Sequence, residues 1–168
     1  MSDLFIPDDG KTIIVAPHPD DELIGCYEVI KKTEKHSKNP LIIFGGETEP
    51  DRRKETANLG KFFSLTAILF QNSIPSNLLE KKNIFYYPDP SYEIHPLHRA
   101  YGFQGESMAR AGFNVIFYNT IMNAPYIHEV EDPKDKKMYL ESCYPSQSDL
   151  WKYDHKFFLF EGYSKWIF

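Results

Sequence analysis

The chain has 168 residues, 42% hydrophobic and 15% aromatic, enough apolar content for one core without a disulfide or metal staple. Its 19 Lys and Arg against 24 Asp and Glu give a net charge of −5 with histidines neutral. A surface of that sign lacks the basic field that condenses on a phosphate backbone, so nucleic acid is not an expected partner.

Thr12-Ile13-Ile14-Val15-Ala16 is a continuous apolar, β-branched run, the pattern of a strand buried on both faces. A helix should follow, because Asp20 and Asp21 suit an N-cap and first turn, and Leu23, Ile24, Tyr27 and Ile30 recur at helical spacing. Leu41 to Phe44 predicts a second buried strand, Asp51 to Phe63 a helix, and Thr66 to Phe70 a third strand. This alternation predicts an α/β fold, a doubly wound, mostly parallel sheet flanked by helices. Further on, Ile84 to Tyr87 reads as a strand stopped by Pro88 and Pro90, and His98 to Ala111 as a helix weakened by Gly102 and Gly105. Phe113 to Tyr118 and Tyr126 to Val130 read as strands, and Asp132 to Ser142 as a polar helix. With no internal repeat or low-complexity linker, residues 1–168 are expected to form a single domain. No apolar run approaches the roughly 20 residues of a membrane span, and the opening Met1-Ser2-Asp3 lacks a basic leader, so a soluble, cytoplasmic protein is expected. Cys26 and Cys143 form no CxxC pair and predict free, buried thiols.

Two clusters carry chemistry. In Ala16-Pro17-His18-Pro19-Asp20-Asp21-Glu22, an imidazole and two carboxylates sit just past the first buried strand, where open α/β sheets bind their ligands. Pro17 and Pro19 stiffen that turn and aim its side chains. Helix capping by Asp20 or Asp21 is the competing explanation, but it accounts for neither His18 nor the two prolines. The second cluster is Glu93-Ile94-His95-Pro96-Leu97-His98, whose histidines share a face if a helical turn begins there. A His-x-x-His pair alone is often coincidence. With His18 and Asp21 it completes two imidazoles and a carboxylate, a donor set of catalytic zinc sites that keep a position open. His36, His128 and His155 read as structural or solvated.

The first cluster, continued by Leu23-Ile24-Gly25-Cys26, resembles the signature of the PIG-L/LmbE-like zinc-dependent N-deacetylases, hydrolases that remove acetyl from N-acetylglucosamine-bearing sugars and related amides. His95-Pro96-Leu97-His98 resembles that family's His-Pro-Asp-His block, Arg52-Arg53-Lys54-Glu55 its Arg-x-x-Glu helix start, and Tyr144-Pro145-Ser146-Gln147 its late Tyr-x-Ser-Gln element. The resemblance implies one zinc per chain on His18, Asp21 and His98, and Asp20 as general base. It implies that His95 stabilises the tetrahedral intermediate or protonates the leaving amine. Arg52 would bind the sugar or an anionic aglycone, or else stand as a solvated helix residue, and the substrate would be a small N-acetylated sugar conjugate. Leu97 departs from the family's Asp, which removes the carboxylate expected to orient the neighbouring histidine. That departure favours the competing reading, a catalytically degenerate, metal-containing module that binds a glycan without turning it over. A nucleotide-binding domain is disfavoured because no G-x-G-x-x-G follows the first strand.

Overall fold

The run from Thr12 forms β1 (Thr12–Ala16), buried along its whole length, and α1 (Asp21–Lys35) leaves it after a four-residue turn that carries His18 and Asp20. The computed structural model describes residues 6–121, 124–152 and 156–165. In chain order there follow β2 (Leu41–Phe44), α2 (Pro50–Thr56), β3 (Ala67–Phe70), β4 (Ile84–Pro88), α3 (Pro96–Arg110), β5 (Asn114–Asn119), β6 (Tyr126–Glu129) and α4 (Pro133–Cys143). Two short helices, α5 (Ser148–Lys152) and α6 (Lys156–Leu159), lead into β7 (Phe160–Lys165).

The strands make one seven-stranded sheet in the order β3-β2-β1-β4-β5-β7-β6. Neighbours from β3 to β5 pair in parallel, whereas β7 is antiparallel to both β5 and β6. Side-chain alternation divides the core between the two faces. Ile14 and Ala16 of β1 pack with Leu23, Tyr27 and Ile30 of α1 and Leu140 of α4, while Ile13 and Val15 pack with Tyr101 and Ala109 of α3. Helices on both faces of a mostly parallel sheet are the expected doubly wound α/β architecture. Each fully buried Ile or Val of β1 contributes about 1.5–3 kcal/mol relative to an exposed one. The winding reverses between β1 and β4, whose carboxyl ends therefore part to leave a crevice.

Glycines set how closely the helices approach that crevice. A Cβ on Gly25 would lie 2.3 Å from the Tyr118 ring, so only glycine lets the first turns of α1 lie against β5. Gly102 and Gly105 play the same part in α3, where added Cβ atoms would fall 2.7 Å from the Pro88 carbonyl oxygen and from the Tyr87 ring. They do not weaken a surface helix; they permit a buried contact.

One local expectation needs correction, and the sheet holds one strand that the sequence pattern hides. The helix expected over 51–63 is α-helical only to Thr56 and tightens to a 3-10 turn over Ala57–Lys61, which turns Leu59 into the core. Between β5 and β6 in the sheet lies β7. That strand is hidden in the sequence by Glu161, which is fully buried and breaks the apolar pattern. Cys26 and Cys143 are free and buried, as expected. Among the described residues, no helix is long and apolar enough to cross a membrane.

Candidate metal centre

The turn after β1 and the turn after β4 bring the two sequence clusters together. His18 Nδ1 lies 3.0 Å from His98 Nε2, and Asp21 Oδ2 lies 3.3 Å from the first and 3.1 Å from the second. Ligand atoms about 2.0–2.2 Å from a four-coordinate zinc stand roughly 3.3–3.6 Å apart, so this triangle matches the donor spacing of one small divalent cation to within a few tenths of an ångström. His95 joins the group: ring nitrogens of His18, His95 and His98 lie within 4.8 Å of one another, a set able to hold a metal ion. His36 is exposed and His128 lies on β6, outside this group, while His155 lies outside the described residues.

Each of these side chains is positioned by a nameable partner. Asp21 Oδ2 accepts the His18 backbone N–H at 2.8 Å, tying the two across the turn. Pro96 at the first position of α3 fixes the helix start, which leaves His95 as the N-cap and puts His98 in the first turn. Glu93, itself buried, receives His98 Nδ1 at 3.1 Å and the Thr120 N–H at 2.5 Å. Glu93 thus orients His98 through the nitrogen opposite the cluster, and Thr120, just past β5, orients Glu93. Glu93 and Glu106 are the acids nearest His95 in sequence; in space Glu93 serves His98. Thr120 gave no sequence signal beyond its place after a buried strand.

His95 is held differently. Its Nδ1 accepts the backbone N–H of Leu97 at 3.2 Å, which assigns the proton of the neutral ring to Nε2. Position 97 therefore still orients this ring, through its backbone rather than through the absent carboxylate. Partial burial, together with the neighbouring His98 and His18, pulls the His95 pKa below its ordinary value.

Asp20 is the most unusual residue of the site. It occupies the N-cap position of α1 yet makes no side-chain cap, and its φ of +114° lies in the left-handed half of conformational space. For a residue with a Cβ that conformation costs about 1–3 kcal/mol and is kept only where the surroundings impose it. The imposing groups are visible. Its N–H donates to Glu22 Oε2 at 3.0 Å, Glu22 in turn accepts the Tyr144 hydroxyl at 2.5 Å, and Asp20 Oδ2 lies 3.3 Å from Arg52 Nη2. Capping thus fails as an account of Asp20. Burial first, then the charge of Asp21, push its carboxyl well above the usual carboxylate range, against the pull of Arg52. Burial pushes Glu22 up to about 7. For Asp21 the upward effect of burial is outweighed by His98 and His18, which hold it well below that range. For His98 burial acts downward but is outweighed by Asp21 and Glu93, which raise it to about 10.

Arg52 lines the cleft, and its guanidinium is already engaged. Nη2 donates to the Pro19 carbonyl oxygen beside Asp20, while Nη1 donates to Ser146 Oγ at 3.2 Å and lies 3.7 Å from Glu55 Oε2. Glu55 also accepts the Ser146 N–H and hydroxyl at 3.0 and 2.7 Å, so the Arg52-to-Glu55 and Tyr144-to-Gln147 elements interlock behind Asp20. The cleft in front of these groups has a volume of about 820 Å³.

No family model matches the sequence, and no curated protein matches it. Solved structures do. The N,N'-diacetylchitobiose deacetylase from Pyrococcus horikoshii, in complex with its inhibitor MPG, aligns with a TM-score of 0.67 and 21% identity over 94% of this chain and 84% of that chain. The A40926 pseudoaglycone deacetylase Dbv21 aligns with a TM-score of 0.60 and 9% identity, over 96% of this chain and all of its own.

The chain shares the fold of these two deacetylases.

The 4-carboxy-2-hydroxymuconate hydratase GalB from Pseudomonas putida KT2440 shares this fold too, with a TM-score of 0.66 and 9% identity over 94% of this chain and 96% of that one. One architecture thus carries at least two chemistries, and activity has to be argued from the site.

Proposed function

We propose that the protein is a metal-dependent hydrolase, with zinc the expected ion, that removes acetyl from an N-acetylated sugar or sugar conjugate. The observation that carries this reading is the triangle of His18 Nδ1, Asp21 Oδ2 and His98 Nε2 at 3.0–3.3 Å, beside a strained, non-capping Asp20. The donor set of two imidazoles and one carboxylate fits a hydrolytic zinc site in number, type and spacing. His18, Asp21 and His98 would hold the ion, which supplies Lewis-acid polarisation of the amide and of a water beside it.

The chain's own groups supply the rest. Asp20, made more basic by burial, takes the proton of the attacking water, a role worth about 10²–10⁴-fold in rate. Arg52 keeps the Asp20 carboxylate pointed at that position. His95 presents its Nε2–H to the oxygen that gains negative charge, since Nδ1 is occupied by Leu97 N–H. The proton taken by Asp20 then passes to the leaving amine, which frees acetate and the amino sugar. Glu93 and Thr120 hold His98 in register throughout.

The test is acetate release from a panel of N-acetylglucosamine glycosides by the zinc-loaded protein, before and after chelation. Metal-dependent acetate formation is expected. Tight glycan binding with no acetate from any member would identify the degenerate binding module instead.

A further inference from the structure

The cleft is larger than the reacting group requires. At about 820 Å³ it stands near the upper end of the roughly 300–1,000 Å³ typical of whole-ligand sites, so an acetamido sugar leaves space beyond it. The cleft has an apolar wall among its polar groups. Leu97 and Tyr101 from successive turns of α3, Ile121 past β5, Leu150 of α5 and Phe157 of α6 all line it. Ile121 and Leu150 are 38% and 52% exposed, so apolar surface from four separate places in the chain meets at one opening. Scattered apolar residues are ordinary on a surface; convergence on a cleft beside a reactive centre marks a binding surface.

The charges lining the cleft point the same way. Glu47 and Glu49, exposed on the segment between β2 and α2, line it. Arg52 is the only lysine or arginine among the described residues lining the cleft, and its donors go to Asp20, Pro19, Ser146 and Glu55. Away from the histidine cluster, a phosphate or carboxylate on the substrate would meet two glutamates and, among the described lining residues, no uncommitted lysine or arginine.

We infer that the substrate is an N-acetylated amino sugar bearing a neutral, apolar aglycone, seated on Leu97, Ile121, Leu150 and Phe157, and that anionic conjugates are rejected. This inference rests on the deacetylase reading and adds the chemistry of the group beyond the sugar. It departs from the expectation of an anionic aglycone on Arg52, because that guanidinium is committed to the base.

Three conjugates test it: methyl and hexyl β-glycosides of N-acetylglucosamine, and N-acetylglucosamine 1-phosphate. Acetate release should give the hexyl glycoside a kcat/KM about 10-fold or more above the methyl, since its added methylenes bury apolar surface against a wall that is only partly enclosed. The phosphate should fall about 10-fold or more below the methyl. Leu150→Glu should pull the hexyl-to-methyl ratio towards one, and Glu49→Lys should raise kcat/KM for the phosphate. Equal values for the two glycosides, or a phosphate faster than either, overturn the inference while leaving the deacetylase reading standing. If no conjugate releases acetate, that reading fails, and calorimetric titration of the two glycosides still decides the aglycone: about 10-fold tighter hexyl binding supports it and equal affinity overturns it.

Discussion

At the carboxyl ends of β1 and β4 the chain buries Asp20, Asp21, Glu93 and His98 against an open cleft, while between α1, α4 and β7 it buries Lys136 and Glu161 with no exposed surface at all. The second group is closed. Lys136 Nζ donates to Glu161 Oε1 at 2.8 Å and to the Ile24 carbonyl oxygen at 2.7 Å, and Glu161 also accepts the Tyr163 hydroxyl at 2.5 Å. Non-helical dihedrals at Cys26 interrupt α1, and the Glu28 N–H turns to Glu161 at 3.3 Å. Lone pairs and protons are thus matched inside the protein. The first group is left open: three donor atoms crowd at 3.0–3.3 Å, and Asp20 is held at a φ that its own Cβ disfavours. Burial of charge is common to both regions. Convergence of donors, backbone strain and an adjoining cleft distinguish the region to which the proposed reaction is assigned.

The sharpest way to break this contrast is to remove a donor from the open group. Asp21→Ala and His98→Ala should each lose stoichiometric metal, measured by elemental analysis, and drop acetate release to background. Asp20→Asn separates base from ligand: it should keep its metal and lose about 10²-fold or more in kcat, because the amide cannot accept the proton. Loss of both together would make Asp20 a ligand. In the closed group, Lys136→Ala leaves Glu161 buried without its counter-ion and should lower unfolding free energy by about 3–5 kcal/mol in urea melts. Metal content per folded molecule should not change in that variant, and a parallel loss would mean that the two regions are coupled. The smallest effect is the most diagnostic of strain. Asp20→Gly should abolish activity yet raise stability by roughly 1 kcal/mol, since glycine accepts φ +114° without penalty.

Much of the fold was legible because β1, β2 and β4 are largely apolar runs with no charged residue to confuse the period, and helical spacing after Asp20 is regular. Legibility failed where polar residues point inward. Glu161 in β7 and Lys136 in α4 are fully buried, so a strand went unseen and a core-facing helix read as polar. The two sequence clusters contain His18, Asp20, Asp21, His95 and His98, which the structure gathers at one cleft, but they do not say who serves whom. Glu93 lies two residues before His95 and five before His98, and only the turn ahead of α3 decides that it reaches the latter. The role of Leu97 was hidden for a similar reason: a backbone N–H leaves no trace in residue type.

The central claim is that His18, Asp21 and His98 hold one divalent ion. X-ray absorption at the zinc edge, on protein stripped by chelator and reloaded with one equivalent of zinc, tests it most directly. The account predicts one tightly held zinc per chain with nitrogen and oxygen ligands at about 2.0–2.2 Å, including two imidazoles, and the loss of one imidazole's scattering in His98→Ala. Zinc that washes out of the wild-type protein, or an unchanged ligand shell in His98→Ala, would contradict it.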